Sequence, residues 1–298
     1  MNDMFYFVKD IGIASYADDT TPYYMEEDLT KLLDKLEKET NVLLEWFKLN
    51  EMKLNEDKCH LIISKPVYSS VKIGGVVIPN EPNVNLLGIT IDDELKFTEH
   101  VKKIYRKGTQ KLHALARISK FMDQDKLKIV MKTFIISQFN YGALIWMFHN
   151  RTMNNKINKL HERALRLVYK NQDLSFQQLL DLDGSVTIHH RNIQKIATEM
   201  FKIKNGLSPL PVRDIFKDHK QNYNLRNKRC WELPKVRTML FGTEAIRYRG
   251  LKIWDILPEY IKSSKDLASF KSKVKRWTPI GCTCRLCQVF VPELGFID

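Results

Sequence analysis

The sequence predicts an α+β fold, and three observations carry the prediction. Residues 26–49 hold one long amphipathic pattern, with Leu29, Leu32, Leu33, Leu36, Thr40, Leu43, Leu44 and Phe47 at three-four spacing. That spacing puts the apolar side chains on one helical face. Short β-prone segments follow, punctuated by turn residues. From Thr98 onward the periodicity is helical throughout.

In chain order, the first element is a strand. Ile11, Ile13 and Ala14 lead into Tyr16-Ala17-Asp18-Asp19, which suits a strand entering a tight turn that presents acid groups. The Glu26–Leu49 helix comes next. Strands are expected at His60–Ser64, Val71–Ile73, Val76–Ile78 and Leu86–Ile91, with Gly74-Gly75 as a hairpin turn. Val101, Ile104, Gly108, Leu112 and Leu115 trace the buried face of the next helix. Asp125–Phe148 reads as a second, more buried helix. Its run Thr133–Phe148 is the most apolar in the chain, yet it holds Ser137, Gln138, Asn140 and Gly142 and is shorter than the roughly 20 residues a membrane span needs. Asn154–Tyr169 is a third helix, apolar along Ile157, Leu160, Ala164, Leu167 and Val168. Ser175–Asn205 reads as helical with a break at Asp183-Gly184, and Gly206–Pro211 as a turn. Tyr223–Arg229 is polar and basic through Arg226, Lys228 and Arg229, and Tyr248–Leu257 and Leu267–Trp277 are further amphipathic pieces.

Charge divides the chain. The net charge is +13 over 298 residues, but residues 1–100 carry 10 Lys and Arg against 19 Asp and Glu. The remainder is therefore strongly basic, at +22, and a basic majority of this size favours polyanions such as nucleic acid. The best-ordered basic feature is Lys156, Lys159, Arg163, Arg166 and Lys170, recurring at three-four spacing opposite the apolar side of their helix. Such a stripe can follow a phosphate backbone or can be a solvated face. Five cysteines, three of them within six residues, do not make a disulfide framework. The N-terminus does not read as a signal peptide. Both points lead to an expected intracellular location, cytoplasmic or nuclear. Asn150-Arg151-Thr152 matches a glycosylation acceptor, with nothing to indicate secretion.

Adjacent aspartates at a turn can hold hard cations through oxygen. Two such ions about 3.5–4 Å apart can clamp the attacking and leaving oxygens of a phosphoryl transfer. A bare Asp-Asp pair in a turn is otherwise simply solvated. The surrounding residues narrow the choice. Ala14-Ser15-Tyr16-Ala17-Asp18-Asp19-Thr20 resembles the third conserved block of the reverse transcriptase palm, in the form used by non-LTR (LINE-like, jockey-type) retrotransposons. Leu49–Cys59 resembles the next block of that family, and Asn85–Asp92 the block at the palm-to-thumb junction. Gln138-Phe139-Asn140-Tyr141 and Leu160-His161-Glu162-Arg163-Ala164 look like segments that trail the polymerase in these elements.

The resemblance implies a partial palm over residues 1–95, a helix on antiparallel strands. A helical thumb-like region over 96–170 would follow, then a helical C-terminal region with a Cys-containing tail over 171–298. It implies an RNA-directed DNA polymerase, a nucleotidyltransferase with RNA and DNA as partners. Asp18 and Asp19 match the catalytic pair that binds Mg²⁺. Tyr16 stands beside them, and Lys58 matches a lysine near the phosphates of the incoming nucleotide. Fifteen residues precede Tyr16, and the block carrying the family's other metal-binding aspartate has no counterpart. Asp3 and Asp10 lack its context. The expectation is the C-terminal part of a longer reverse transcriptase, with an incomplete Mg²⁺ site and no synthesis by this chain alone. Two other readings stay open: a non-catalytic nucleic-acid-binding protein built on that remnant, and a helical interaction scaffold.

Cys282, Cys284 and Cys287 invite a zinc reading, but structural zinc takes four ligands. No histidine or cysteine follows Cys287, Cys230 is distant in sequence, and His189-His190 do not form a site by spacing. The sequence therefore argues against zinc and for reduced thiols in a tail.

Overall fold

A computed structural model describes residues 3–64, 67–148, 151–218, 231–238, 242–279, 281, 282, 284, 286 and 287. Cys230, Asn150 and the 223–229 basic segment lie outside the described residues. The architecture is mixed, with helices and small antiparallel strand pairs. The chain forms two compact units, residues 1–95 and 96–298.

The first unit is built on α2 (Leu29–Leu49), preceded by α1 (Met4–Phe7), β1 (Gly12–Tyr16) and β2 (Asp19–Tyr23). Asp28 caps α2, its side chain accepting from the backbone N–H groups of Thr30 and Lys31, which satisfies two donors a helix start leaves open. Two sides of α2 are covered. Leu43 and Trp46 pack with Met4, Val8 and Ile11. Leu29, Leu33 and Leu36 lie against a cluster of Leu61, Ile63, Val71 and Ile78. Three separate two-stranded hairpins carry the strands: β1–β2, β3–β4 (Ser70–Ile73, Val76–Pro79) and β5–β6 (Asn83–Leu86, Ile89–Asp92). Gly74 and Gly75, at φ +60° and +93°, turn the second hairpin as expected.

Two strand expectations are corrected. His60–Ser64 is not a strand. It makes only an isolated bridge between Leu61 and Asn80, and the Asn80 side chain takes the Ile63 N–H at 2.9 Å. A side chain has replaced the ladder partner there. Leu86–Ile91 is not one strand but the turn of a hairpin. Leu87 and Gly88 both stand at positive φ, the backbone that a two-residue primed turn requires.

The second unit is helical: α3 (Thr98–Ile118), α4 (Gln124–Val130), α5 (Ala143–Trp146), α6 (Arg151–Tyr169), α7 (Phe176–Asp183), α8 (Ile188–Lys204), α9 (Leu210–Arg213), α10 (Ile246–Ile256), α11 (Glu259–Lys262) and α12 (Leu267–Arg276). The expected single helix over Asp125–Phe148 is broken. After α4 the chain passes through a π-turn at Met131–Ile135 and a 3₁₀ turn at Ile136–Phe139, and restarts at α5 from Gly142 at φ +56°. The Thr133 hydroxyl donates back to the Ile129 carbonyl at 2.9 Å and Ser137 to the Thr133 carbonyl, and such back-bonding loosens a helix. The break at Asp183-Gly184 occurs as read, with Gly184 in the left-handed region ending α7.

Two apolar clusters fill this unit. One joins α3, α4, α6 and α7 around Phe139, Ile157, Leu160 and Leu165. Gly108 lets α3 approach there: a Cβ at this position would stand 3.1 Å from the Phe139 ring and 3.3 Å from Leu160. The other joins α8, α10 and α12 around Ile196, Trp254 and Phe270.

His161, inside the Leu160–Ala164 segment, is buried against Phe176, their ring centroids 5.6 Å apart. Burial, with the nearby Arg191 charge, pushes its pKa down to about 3. The folded chain therefore keeps this imidazole neutral, while the unfolded chain protonates it below about 6.5. Stability is expected to fall as pH drops from about 6.5 toward 3, by about 1.4 kcal/mol per pH unit for this one group. Urea unfolding of wild type and His161→Phe at pH 7 and 4.5 checks this. The wild type should lose about 2.5 kcal/mol more than the variant between the two pH values, and equal losses would refute the assignment.

Candidate functional site

Tyr16-Ala17-Asp18-Asp19 forms the tip of the β1–β2 hairpin. Tyr16 pairs with Asp19 across the strands, leaving Ala17 and Asp18 as a two-residue loop. Ala17 takes φ +53°, a conformation glycine adopts without the steric cost an alanine incurs. Strain of this kind clusters where a turn must aim side chains. Asp18 and Asp19 are both exposed, and Tyr16 is 68% exposed. Among the described residues no third Asp, Glu, His or Cys stands close enough to join the two aspartates as a metal-ligand group. Lys58 ends a 3₁₀ turn at Glu56–Lys58 and is exposed. Among the described residues no hydrogen bond or ion pair joins it to Asp18 or Asp19.

The basic stripe is on α6 and its immediate C-terminus. Lys156, Lys159, Arg163 and Lys170 are exposed, while Ile157, Leu160, Ala164 and Val168 are buried on the other side. Arg166 is different. Its guanidinium is paired with Glu162 at 2.7 Å and also donates to the Gln172 carbonyl, so it is engaged within the fold.

A third constellation joins residues that no local spacing connects. His189, in the first turn of α8, places Nε2 3.2 Å from Cys284 Sγ. The ligand atoms of His189, Cys284 and Cys287 all lie within 4.8 Å of one another, and all three residues are buried. The neighbouring Cys284 and Cys287 thiols push the Cys282 pKa down, and the Cys282 and Cys284 thiols push that of Cys287 up. All three thiols are free. The expectation that the His189-His190 pair forms no site is therefore corrected for His189, which joins Cys284 and Cys287 in a group of three. Sequence reasoning missed His189 because 95 residues separate it from Cys284. A signal existed: His189, Ile193, Ile196 and Met200 share one helical face, so this histidine sits where an apolar residue is expected.

Comparison with known proteins adds the family context. Over 164 residues, 52% of this chain, the sequence is 25% identical to "Probable RNA-directed DNA polymerase from transposon BS" of Drosophila melanogaster. Over 169 residues, 54% of this chain, it is 24% identical to the "RNA-directed DNA polymerase from mobile element jockey" of the same species. The chain resembles the polymerases of non-LTR retrotransposons. The matched stretch spans only 18% of the length of each of these two polymerases. No family model matches the chain, and no solved structure matches it. No helix among the described residues is long and apolar enough to cross a membrane.

Proposed function

We propose that the chain is the C-terminal portion of a retrotransposon reverse transcriptase. In this reading residues 1–95 are the second half of the palm, 96–170 a thumb-like region and 171–298 a C-terminal region. The observation that carries the reading is the hairpin tip. Two adjacent carboxylates stand at the tip of a hairpin, Asp18 in its strained two-residue loop and Asp19 at the start of β2, both open to solvent, in a chain similar to RNA-directed DNA polymerases. Asp18 and Asp19 would supply part of a two-metal site for nucleotidyl transfer, and Mg²⁺ would neutralise charge on the leaving pyrophosphate. Lys58 would contact the phosphates of the incoming nucleotide. A third carboxylate is needed to complete the ligand set, and Mg²⁺ binds weakly to a pair that leaves it mostly hydrated.

The exposed part of the α6 stripe, Lys156, Lys159, Arg163 and Lys170, supports the companion reading of nucleic-acid binding without catalysis. Incubating the chain with an oligo(dT)-primed poly(rA) template and Mg²⁺ or Mn²⁺ tests both. The expected outcome is salt-sensitive binding with no extension. Extension abolished by Asp18→Asn would show that the ligand set is complete on this chain. Absence of binding at low salt would remove nucleic acid as the partner and leave a helical scaffold.

A further inference from the structure

We propose that His189, Cys282, Cys284 and Cys287 form a closed structural zinc site that fastens the tail segment to α8. This goes beyond the polymerase reading and does not depend on it.

Three cysteine sulfurs and one imidazole nitrogen are a set that tetrahedral Zn²⁺ prefers, and four protein ligands leave no open position. The dimensions agree. Zn–S bonds of about 2.3 Å and Zn–N bonds of about 2.0–2.1 Å put neighbouring ligand atoms about 3.6–3.8 Å apart in a tetrahedron. Here Nε2 of His189 is 3.2 Å from Cys284 Sγ, and the His189, Cys284 and Cys287 ligand atoms lie within 4.8 Å of one another; Cys282 stands outside that group and would close on the metal as the fourth ligand.

The backbone is also arranged for thiolates. Cys284 and Cys287 bracket a tight turn in which the Cys287 N–H donates to the Cys284 carbonyl at 3.0 Å and approaches Cys284 Sγ at 3.4 Å. A backbone N–H directed at sulfur favours negative charge on it. Zinc with three thiolates leaves a net charge of about −1, which is costly to bury without a nearby cation. Arg249 and Cys282 line the same cavity. Arg249 is 6% exposed and pairs with Glu244 at 2.6 Å through one terminal nitrogen. Its Nε has no partner among the described residues.

The site also answers a packing question. Cys284 is fully buried and Cys287 nearly so, within the cluster that holds Ile193, Ile196 and Trp254. Yet residues 281–287 include no helix or strand among those described. A metal would supply the missing constraint, because binding energy at such a site is folding energy.

The test uses the full chain purified under reducing conditions without chelator. Metal analysis is expected to give about one zinc per chain. Cobalt exchanged into the wild-type protein should show thiolate-to-metal charge transfer and the intense visible bands of a tetrahedral site. Cys284→Ser should lose the metal. His189→Ala should change the cobalt spectrum and release zinc on dialysis. His190→Ala and Cys59→Ser should behave as wild type. A strong chelator should lower the melting temperature of the wild type. A folded, metal-free wild type that takes up no cobalt would overturn the proposal. So would a cobalt spectrum unchanged by His189→Ala. If Cys284→Ser does not fold, the wild-type zinc content and cobalt spectrum decide the matter without it.

Discussion

Trp46→Ala is expected to cost the first unit about 4 kcal/mol, the usual scale for truncating a fully buried aromatic. Trp46 is 1% exposed and closes the cluster of Met4, Val8, Ile11 and Leu43. Its ring meets Phe47 edge-on at 5.5 Å, and its indole N–H reaches the Asp3 carboxylate at 3.4 Å. A domain of this size holds about 5–15 kcal/mol in total, so the loss leaves the unit close to its unfolding threshold. Hydrogen exchange followed by mass spectrometry checks this segment by segment. Residues 3–64 should lose most of their protection, while α3, α6 and α8 keep theirs. A change below about 1 kcal/mol would mean that the α1–α2 packing does not hold the unit together.

The second large effect concerns the basic face. Replacing Lys156, Lys159 and Arg163 together with Glu is expected to weaken binding to single-stranded nucleic acid about a hundredfold at 0.1 M salt. The figure follows from counterion release, at about 0.7 of a log unit per phosphate contact per tenfold change in salt. The slope of log affinity against log salt should flatten by about 2. Arg166 is left out because Glu162 and the Gln172 carbonyl already hold it, so its replacement would mix folding with binding. The buried side of α6 is untouched, and circular dichroism should report an unchanged fold. Unchanged affinity and slope in a folded variant would make the stripe a solvated face.

Much of the local architecture could be read from the sequence because it rests on local rules. The three-four spacing of leucines gave α2 to within a few residues of its start. Gly74-Gly75 and Gly184 marked a turn and a helix end that need positive φ. The alternation around Asp18-Asp19 pointed to a strand entering a turn, and the hairpin tip is there. What escaped was non-local or carried by polar side chains. The long helix over 125–148 is interrupted where Thr133 and Ser137 hydroxyls bond back to the chain and restarts at Gly142, all inside a run whose apolar content favours a single helix. The Leu87 turn requires a left-handed leucine, which propensity argues against. The pairing of His189 with Cys284 depends on tertiary packing of α8 against the tail, so no spacing rule could reveal it.

The claim that the hairpin carboxylates are one part of a two-metal polymerase site is tested most directly by completing the site. The chain is joined downstream of a reverse transcriptase segment carrying the fingers and the first palm blocks from a related element. Mg²⁺-dependent primer extension is then measured for the wild-type fusion and for Asp18→Asn and Asp19→Asn. The account predicts extension by the wild-type fusion and its loss in both variants. A folded fusion that binds primer and template yet extends nothing, or that extends equally well without Asp18 and Asp19, would contradict it.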